Sequence, residues 1–158
     1  MKSESTTQTP YRESRRFSTP LSVEHLLKVQ AIYALIRNKR KYAFMDFPSS
    51  TTWFRIRYMR KHCTKTLGSM SWDSKDGMLI TMSLNRILFE EETDPTLLYG
   101  VIHHEMCHML LGPEAKHNEQ FEHLESGWVD YWYYQSIKDM YFKSINTKEI
   151  ECNAHILE

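Results

Sequence analysis

Residues 94–113 read DPTLLYGVIHHEMCHMLLGP, and they carry the strongest structural signal in this 158-residue chain. Asp94 can cap a helix whose first residue is Pro95. Proline is favoured at this position because the N–H that it lacks would have no partner within the first turn. Gly112-Pro113 can end the same helix, since glycine favours a helix end and proline does not continue one. The sequence therefore predicts a helix over residues 95–111.

This helix contains the motif H-E-x-x-H, in which His104 is first, Glu105 second and His108 last. Histidines at positions i and i+4 lie on one helical face, so two imidazole nitrogens can bind one Zn²⁺ at about 2.0–2.1 Å. Glu105 then flanks the metal and can act as general base toward a water molecule that zinc activates. The motif predicts a hydrolytic zinc site with Glu105 as its catalytic residue.

A catalytic zinc site needs a third protein ligand and an open fourth position. His117 is the favoured third ligand, because the break at Gly112-Pro113 lets the chain fold back over the metal. Glu122, His123 and Glu125 compete for this role, and spacing alone does not exclude them.

Two other potential metal ligands lie inside the motif region. His103 precedes the first ligand by one residue, about 100° round the helix, so we expect it to pack or to support a ligand. Cys107 points away from the metal, where a small buried thiol packs well.

The remaining elements are predicted by weaker patterns. Ser22 can cap an amphipathic helix that continues to the basic run 37–41. Strict alternation predicts strands at 54–58 and 78–84. A further strand at 64–72 would form a hairpin with the latter through the turn dipeptide Asp76-Gly77.

A second helical stretch is predicted from about residue 114 to residue 142, broken or bent near Gly127. Its expected core positions are Phe121, Leu124, Val129, Trp132, Ile137 and Met140.

The charge is divided unevenly along the chain. Residues 1–80 hold 15 Lys and Arg against 6 Asp and Glu, and residues 81–158 hold 5 against 14, so the halves carry +9 and −9. Basic residues between 37 and 65, with aromatic residues between them, could contact DNA, although two halves of opposite charge that pack together explain the division equally well. This basic set is Arg37, Lys39, Arg40, Lys41, Arg55, Arg57, Arg60, Lys61 and Lys65.

Residues 1–18 lack apolar periodicity and are expected to form a flexible tail, which leaves residues 19–158 as a single domain. No apolar run is long enough for a signal peptide core or a membrane span, so a cytoplasmic protein is expected, or a nuclear one if it is eukaryotic and acts on DNA. The three cysteines are too few for a four-cysteine zinc ribbon. The sequence leaves the oligomeric state open.

The segment Val101–Phe121, VIHHEMCHMLLGPEAKHNEQF, resembles the metal-binding region of the SprT-like zinc metallopeptidases and of the related WLM and YgjP-type groups. In these families a short turn follows H-E-x-x-H and leads to a histidine with an aromatic residue four positions later, a pattern that His117 and Phe121 fit. Residues 67–69 and 80–88 are similar to the hairpin and strand that precede the metal helix in SprT-like domains.

The resemblance implies an α+β, compact zincin-like domain with an N-terminal helix, a small antiparallel sheet, the metal-binding helix and a following helical region. It also implies a zinc-dependent peptidase whose metal ligands are His104, His108 and His117, acting on a protein or peptide substrate. Some family members cut proteins bound or crosslinked to DNA. An edge strand near Met78–Ser83 is expected to pair with an extended substrate.

Two other functions stay open at this point. The first is a non-catalytic module in which four protein ligands enclose a structural zinc and a basic face binds nucleic acid or a protein. The second is a histidine-metal nuclease using His103, His104 and Asn118, although such enzymes place the first histidine on a strand or loop.

Overall fold

The structure, a computed structural model, describes residues 19–42, 45–60, 65–72, 80–113 and 116–157, with side chains described as far as residue 145. The expected N-terminal tail, residues 1–18, and the expected Asp76-Gly77 turn lie outside the described residues. The division into a tail and one domain therefore stays a prediction.

The described residues form an α+β structure, as predicted, with four α-helices and one three-stranded sheet. None of the described helices combines the length and the apolar character needed to cross a membrane. In chain order the elements are α1 (Val23–Arg37), β1 (Arg55–Tyr58), β2 (Gly68–Trp72), β3 (Ile80–Leu84), α2 (Pro95–Leu111), α3 (Glu119–Ser126) and α4 (Tyr131–Leu157).

The strand order in the sheet is β1-β3-β2, so β3 is the central strand. β2 and β3 pair antiparallel, from Gly68 opposite Leu84 to Trp72 opposite Ile80, which confirms the predicted pairing of these two strands. β1 runs parallel to β3, so the expected purely antiparallel sheet is wrong.

The expected edge strand near Met78–Ser83 is also wrong. β3 is paired along both sides, which leaves no free row of backbone groups for a substrate. Thr81, Met82 and Leu84 are accordingly buried. Within the described residues, β1 and β2 are the two edge strands. Pro20 bridges the outer side of β1 at Arg57, and no described strand pairs with the outer side of β2.

Helix α1 begins as predicted at Ser22, whose side chain accepts a hydrogen bond from the backbone N–H of His25. Its buried residues, Val29, Tyr33 and Ile36, recur at helical spacing and contribute to the core. The helix therefore covers one side of the molecule with a single apolar face.

Helix α2 has the predicted bounds. The Asp94 side chain accepts a hydrogen bond from the Thr96 backbone N–H at 2.9 Å, and Gly112, with φ +96°, ends the helix in a conformation that favours glycine. Helices α1, α3 and α4 and strand β2 all contact α2. The helix that carries the metal motif is thus the centre of the fold.

The predicted helical stretch after α2 consists of two helices, α3 and α4, separated near Gly127. Phe121 is buried as predicted, but Val129, Trp132 and Met140 are 87%, 71% and 69% exposed, so these three core assignments are wrong. Residues 127–130 interrupt the helix, so positions in α4 do not continue the helical spacing of α3. Extending one periodicity across this break therefore places exposed residues of α4 in the core.

Candidate metal centre

His104 and His108 project from one face of α2 into a common space. Their ring centroids are 5.0 Å apart, one helical turn along the axis. Both side chains are half-buried. Burial, the charge of His104 and the charge of His117 lower the pKa of His108 to about 4, so this imidazole is neutral at physiological pH, the form that binds a metal.

His117 reaches the same space from the segment between α2 and α3. The left-handed Gly112 turns the chain at the end of α2. On the other side, the Asn118 side chain caps α3 by accepting a hydrogen bond from the Phe121 backbone N–H at 3.1 Å. His117 is therefore held between a helix end and a helix cap, and its Nε2 lies 2.8 Å from that of His108.

One potential ligand nitrogen from each of His104, His108 and His117 lies within 4.8 Å of the other two, close enough to bind one metal ion. Phe121 packs against all three imidazoles, with ring centroids 4.8, 4.5 and 4.9 Å from those of His104, His108 and His117. Because Phe121 is only 2% exposed, it forms a rigid apolar support beneath the cluster.

Glu125 is positioned to orient the first of these histidines. Its Oε2 lies 2.8 Å from Nδ1 of His104, a distance at which Nδ1–H donates a hydrogen bond to the carboxylate. The tautomer with hydrogen on Nδ1 leaves the lone pair of Nε2 available, which is the usual arrangement in carboxylate–histidine–metal sites. Glu125 is 4% exposed. It was a candidate third ligand from the sequence, and the structure makes it the hydrogen-bond partner of His104.

Glu105 lies beside the histidine cluster with its carboxylate buried. The residue is 3% exposed, and its Oε1 is buried without a hydrogen-bond partner. Burial raises the pKa of Glu105 to about 7, against the opposing influence of His104. An unpaired buried carboxylate is costly, and in a cleft such a group is a candidate functional residue.

Strand β2 approaches Glu105 through a glycine. A Cβ atom at residue 68 would lie 2.6 Å from Val101 Cγ1 and 2.9 Å from Glu105 Oε2. Gly68 is therefore required for this strand to pass so close to the carboxylate. The sequence showed this glycine only as part of a family resemblance.

The cluster opens into a cavity of about 590 Å³. It is lined by residues of α2, of β2 and the residues before it, and of α3 and α4. All four residues predicted for the site, His104, Glu105, His108 and His117, line this cavity. The size lies within the usual range of ligand pockets.

The other candidate ligands lie elsewhere. Glu122 and His123 are exposed on α3 and outside the three-histidine cluster. His103 is buried on another face of α2, where it bonds Tyr42 Oη, and burial lowers its pKa to about 4. Cys107 is buried as well, and burial raises the pKa of its thiol to about 12. His103 and Cys107 are thus part of the core, as expected.

Lys61 lies outside the described residues, and the described basic residues between 37 and 65 do not act alike in the structure. Lys41 donates a hydrogen bond to the carbonyl of Leu124, and Arg55 donates to the Thr81 hydroxyl. Of the neighbouring aromatics, Phe54 is buried and Trp53 is 70% exposed. Contact with DNA through this set stays a prediction.

The chain was compared with models of protein families, with curated proteins and with solved structures, and none of these gives a match. The function must therefore be inferred from the geometry of the site.

Proposed function

We propose that this chain is a zinc-dependent metallopeptidase of the SprT-like kind, with His104, His108 and His117 as metal ligands and Glu105 as general base. The single observation that carries the proposal is the buried, unpaired carboxylate of Glu105 in the same cavity as three clustered imidazoles. A site that served only to stabilise the fold would have no use for such a carboxylate.

The donor set supports zinc as the metal. Three imidazole nitrogens are a familiar catalytic zinc site, and they leave a coordination position open. Among the described residues, the cluster has no fourth His, Cys, Asp or Glu ligand. When bound there, zinc would lower the pKa of a water molecule and polarise a carbonyl oxygen.

The protein's own groups would supply the proton transfers. Glu105 takes a proton from the attacking water at Oε1 and returns it to the amine that leaves when the peptide bond breaks. In the metal-free site burial raises the pKa of Glu105, which makes its carboxylate a better proton acceptor, and the charge of a bound zinc ion would act in the opposite direction. Glu125 keeps His104 in the tautomer that binds metal.

The free edge of β2 gives a substrate strand somewhere to pair. Gly68, Ser69, Met70 and Trp72 of this strand line the cavity. An extended peptide that pairs with this edge would be recognised through its main chain, which places few demands on its sequence. We therefore propose β2 as the strand that pairs with the substrate, in place of the residues near Met78–Ser83.

The first experiment measures zinc in protein purified without added metal. Wild type and Glu105→Gln are expected to hold about one zinc per chain, and His117→Ala to lose most of it. The matched control is His123→Ala, which removes an exposed histidine six residues away and should leave zinc bound. A wild-type protein without zinc, or a His117→Ala variant that keeps it, would contradict the proposed centre.

The second experiment incubates the zinc-loaded protein with a mixed peptide library and identifies the products by mass spectrometry. Glu105→Gln is expected to reduce cleavage by about 10²-fold to 10⁴-fold, because general-base catalysis is lost while metal binding is retained. Wild-type cleavage by this variant would reject the assigned role of Glu105.

The two alternatives receive less support. A closed structural zinc needs four protein ligands, and the described cluster has three. The nuclease hypothesis needs the first histidine on a strand or loop, but His103 and His104 lie within a continuous helix.

A further inference from the structure

Lys138 occupies a distinctive position on the helical wall of the cleft. It lies on α4 and lines the same cavity as His104, Glu105, His108 and His117. Its side chain is half-buried. It is therefore a cation within the cleft, in contrast to the lysines that project freely from a surface.

The Lys138 ammonium lies over an aromatic ring, and other aromatic residues line the same cavity. The Nζ atom lies 5.2 Å from the centre of the Tyr134 ring. Tyr131 and Phe142 line the cavity from the same helix, and Phe121 does so from α3. Aromatic faces attract a cation, but they leave its hydrogen-bond donors unused.

The charges that face Lys138 do not neutralise it by direct contact. Among the described residues, no carboxylate lies within 4.0 Å of its Nζ. Glu125 is bonded to His104, Glu105 is buried beside β2, and Glu122 is exposed at the rim of the cavity. Lys65 adds a second exposed cation to the lining of the cavity.

Lys138 is also near the proposed metal ligands. Lys138 lines the same cavity of about 590 Å³ as His104, His108 and His117. A group held by Lys138 would therefore be held close to the proposed reaction centre.

We infer that Lys138 is a specificity residue, and that its ammonium group binds a carboxylate of the peptide substrate near the bond to be cut. The carboxylate is either the side chain of an Asp or Glu residue or the C-terminus of the peptide. This inference rests on the proposed function, and it adds the substrate class: peptides that present a carboxylate to an aromatic-lined cationic pocket.

Charge explains the expected preference. A charge-assisted hydrogen bond to a carboxylate is stronger than one to the neutral amide of Gln or Asn. Because Lys138 is partly exposed, the gain is limited by solvent screening, and we expect about fivefold to tenfold in Kd. Glu122 shares the cavity, so Glu122→Gln should increase the preference for carboxylates.

The test measures binding as well as cleavage. The first set consists of fluorescein-labelled peptides of one common sequence, blocked at both ends. Each peptide carries Glu, Gln or Lys at a single position, and this position is varied from one peptide to the next. A second set compares a free C-terminal carboxylate with the C-terminal amide. Binding is followed by fluorescence polarisation with Glu105→Gln, with and without zinc, and cleavage is followed with wild type.

Four substitutions make the binding data specific. Lys138→Gln should abolish the preference for carboxylates, Lys138→Arg should retain it, and Lys138→Glu should shift it toward the Lys peptide. Lys28→Gln, which removes an exposed lysine on α1, is the matched control and should change nothing. Thermal unfolding of each variant shows whether a loss of binding reflects the removed charge or a destabilised fold. For Lys138→Arg and Lys138→Glu the expected result is a retained or shifted preference, which a destabilised fold would not produce.

The results separate this inference from the proposed function. A carboxylate preference that depends on Lys138 supports the inference even if no peptide is cut. Cleavage without a carboxylate preference supports the peptidase and overturns the inference. Equal or undetectable binding of all peptides, or a preference that survives Lys138→Gln, also overturns it. A preference in the first peptide set identifies a side-chain carboxylate, and a preference in the second set identifies the C-terminal carboxylate.

Discussion

The two longest helices that face the cleft differ in how they are packed. α2 is buried on nearly every side, and even its polar residues His103 and Glu105 are 2% and 3% exposed. Over residues 131–145, where its side chains are described, α4 packs through one face, and Trp132 and Met140 on its other face are 71% and 69% exposed. Both helices contain many apolar residues, but Lys, Asp and Glu residues are more frequent in α4 than in α2.

This difference in packing indicates which of the two helices can hold the candidate site residues in fixed positions. α2 can hold His104, Glu105 and His108 in fixed positions because the other three α-helices and strand β2 all contact it. α4 contributes a wall that closes the cavity from one side. Substitutions at the interfaces of α2 should therefore have larger effects than substitutions on the free face of α4.

The largest expected effect is at the contact between these helices. Tyr134 of α4 is 2% exposed and lies against Gly100, where a Cβ atom would overlap its ring. Tyr134→Ala should reduce the free energy of unfolding by about 3–5 kcal/mol, the usual cost of removing a buried aromatic ring. Urea unfolding at constant m-value measures the change.

The matched control is Trp132→Ala, two residues away on the exposed face. It should change the free energy of unfolding by about 0.5 kcal/mol or less, as for ordinary surface substitutions. Similar losses in both variants would show that α4 is not packed on one face only.

The next effect concerns α2 and β2. In Gly68→Ala, the added methyl group would meet Val101 Cγ1 and Glu105 Oε2, so the carboxylate or the strand must move. We expect peptide cleavage to fall by about 10²-fold, because a displacement of about 1 Å in a catalytic group has this effect. Zinc content should not change, since β2 carries none of the three histidines.

Ser71→Ala is the control for this strand, because Ser71 is exposed and, unlike Gly68, is outside the cavity lining. It should retain cleavage. Full activity in Gly68→Ala would mean that the close approach of β2 has no role in positioning Glu105.

These contacts show what could be predicted from the sequence. The bounds of α2 were predicted correctly because Asp94, Pro95 and Gly112 act locally, within one turn of each helix end. Strand order has no comparable local signal. Alternation predicted β1 and β3, and the turn dipeptide predicted β2 as the hairpin partner of β3, but none of these signals states which strand has a neighbour on both sides.

The same distinction applies within the site. The i, i+4 spacing of His104 and His108 fixes their common face, whereas the bond from His104 to Glu125 joins residues 21 positions apart. Glu125 could be identified from the sequence as a metal-site residue. Whether it would bind the metal or a histidine depended on the angle between α2 and α3, which tertiary packing determines.

The third effect concerns that bond between α2 and α3. Glu125→Gln keeps an oxygen that can accept from His104 Nδ1–H but removes the negative charge, so zinc affinity should fall by about 10-fold to 100-fold. Competition with a fluorescent zinc chelator gives the affinity. Glu122→Gln, an exposed position on the same helix, is the control. An unchanged affinity in Glu125→Gln would reduce the role of Glu125 to packing.

The smallest effect is expected where α4 meets the first turn of α2. Tyr133 Oη donates a hydrogen bond to Asp94 Oδ2 at 2.6 Å, while Asp94 Oδ1 caps the helix. The bond from Tyr133, and then that from the Thr96 backbone, hold the pKa of Asp94 below its usual value of 3.8. Tyr133→Phe removes the connection between the helices and leaves the cap in place.

The pH dependence distinguishes this contact from simple packing. A lowered carboxyl pKa in the folded state contributes stability that is present above pH 3.8 and is lost as the pH falls through the folded value. The variant should therefore be slightly less stable than wild type at neutral pH, and the gap in Tm should narrow below pH 4 as Asp94 is protonated. If the difference in Tm stays constant from pH 7 to pH 3, the destabilisation comes from the lost packing of the phenol on α2. The cap of α2 would then act independently of α4.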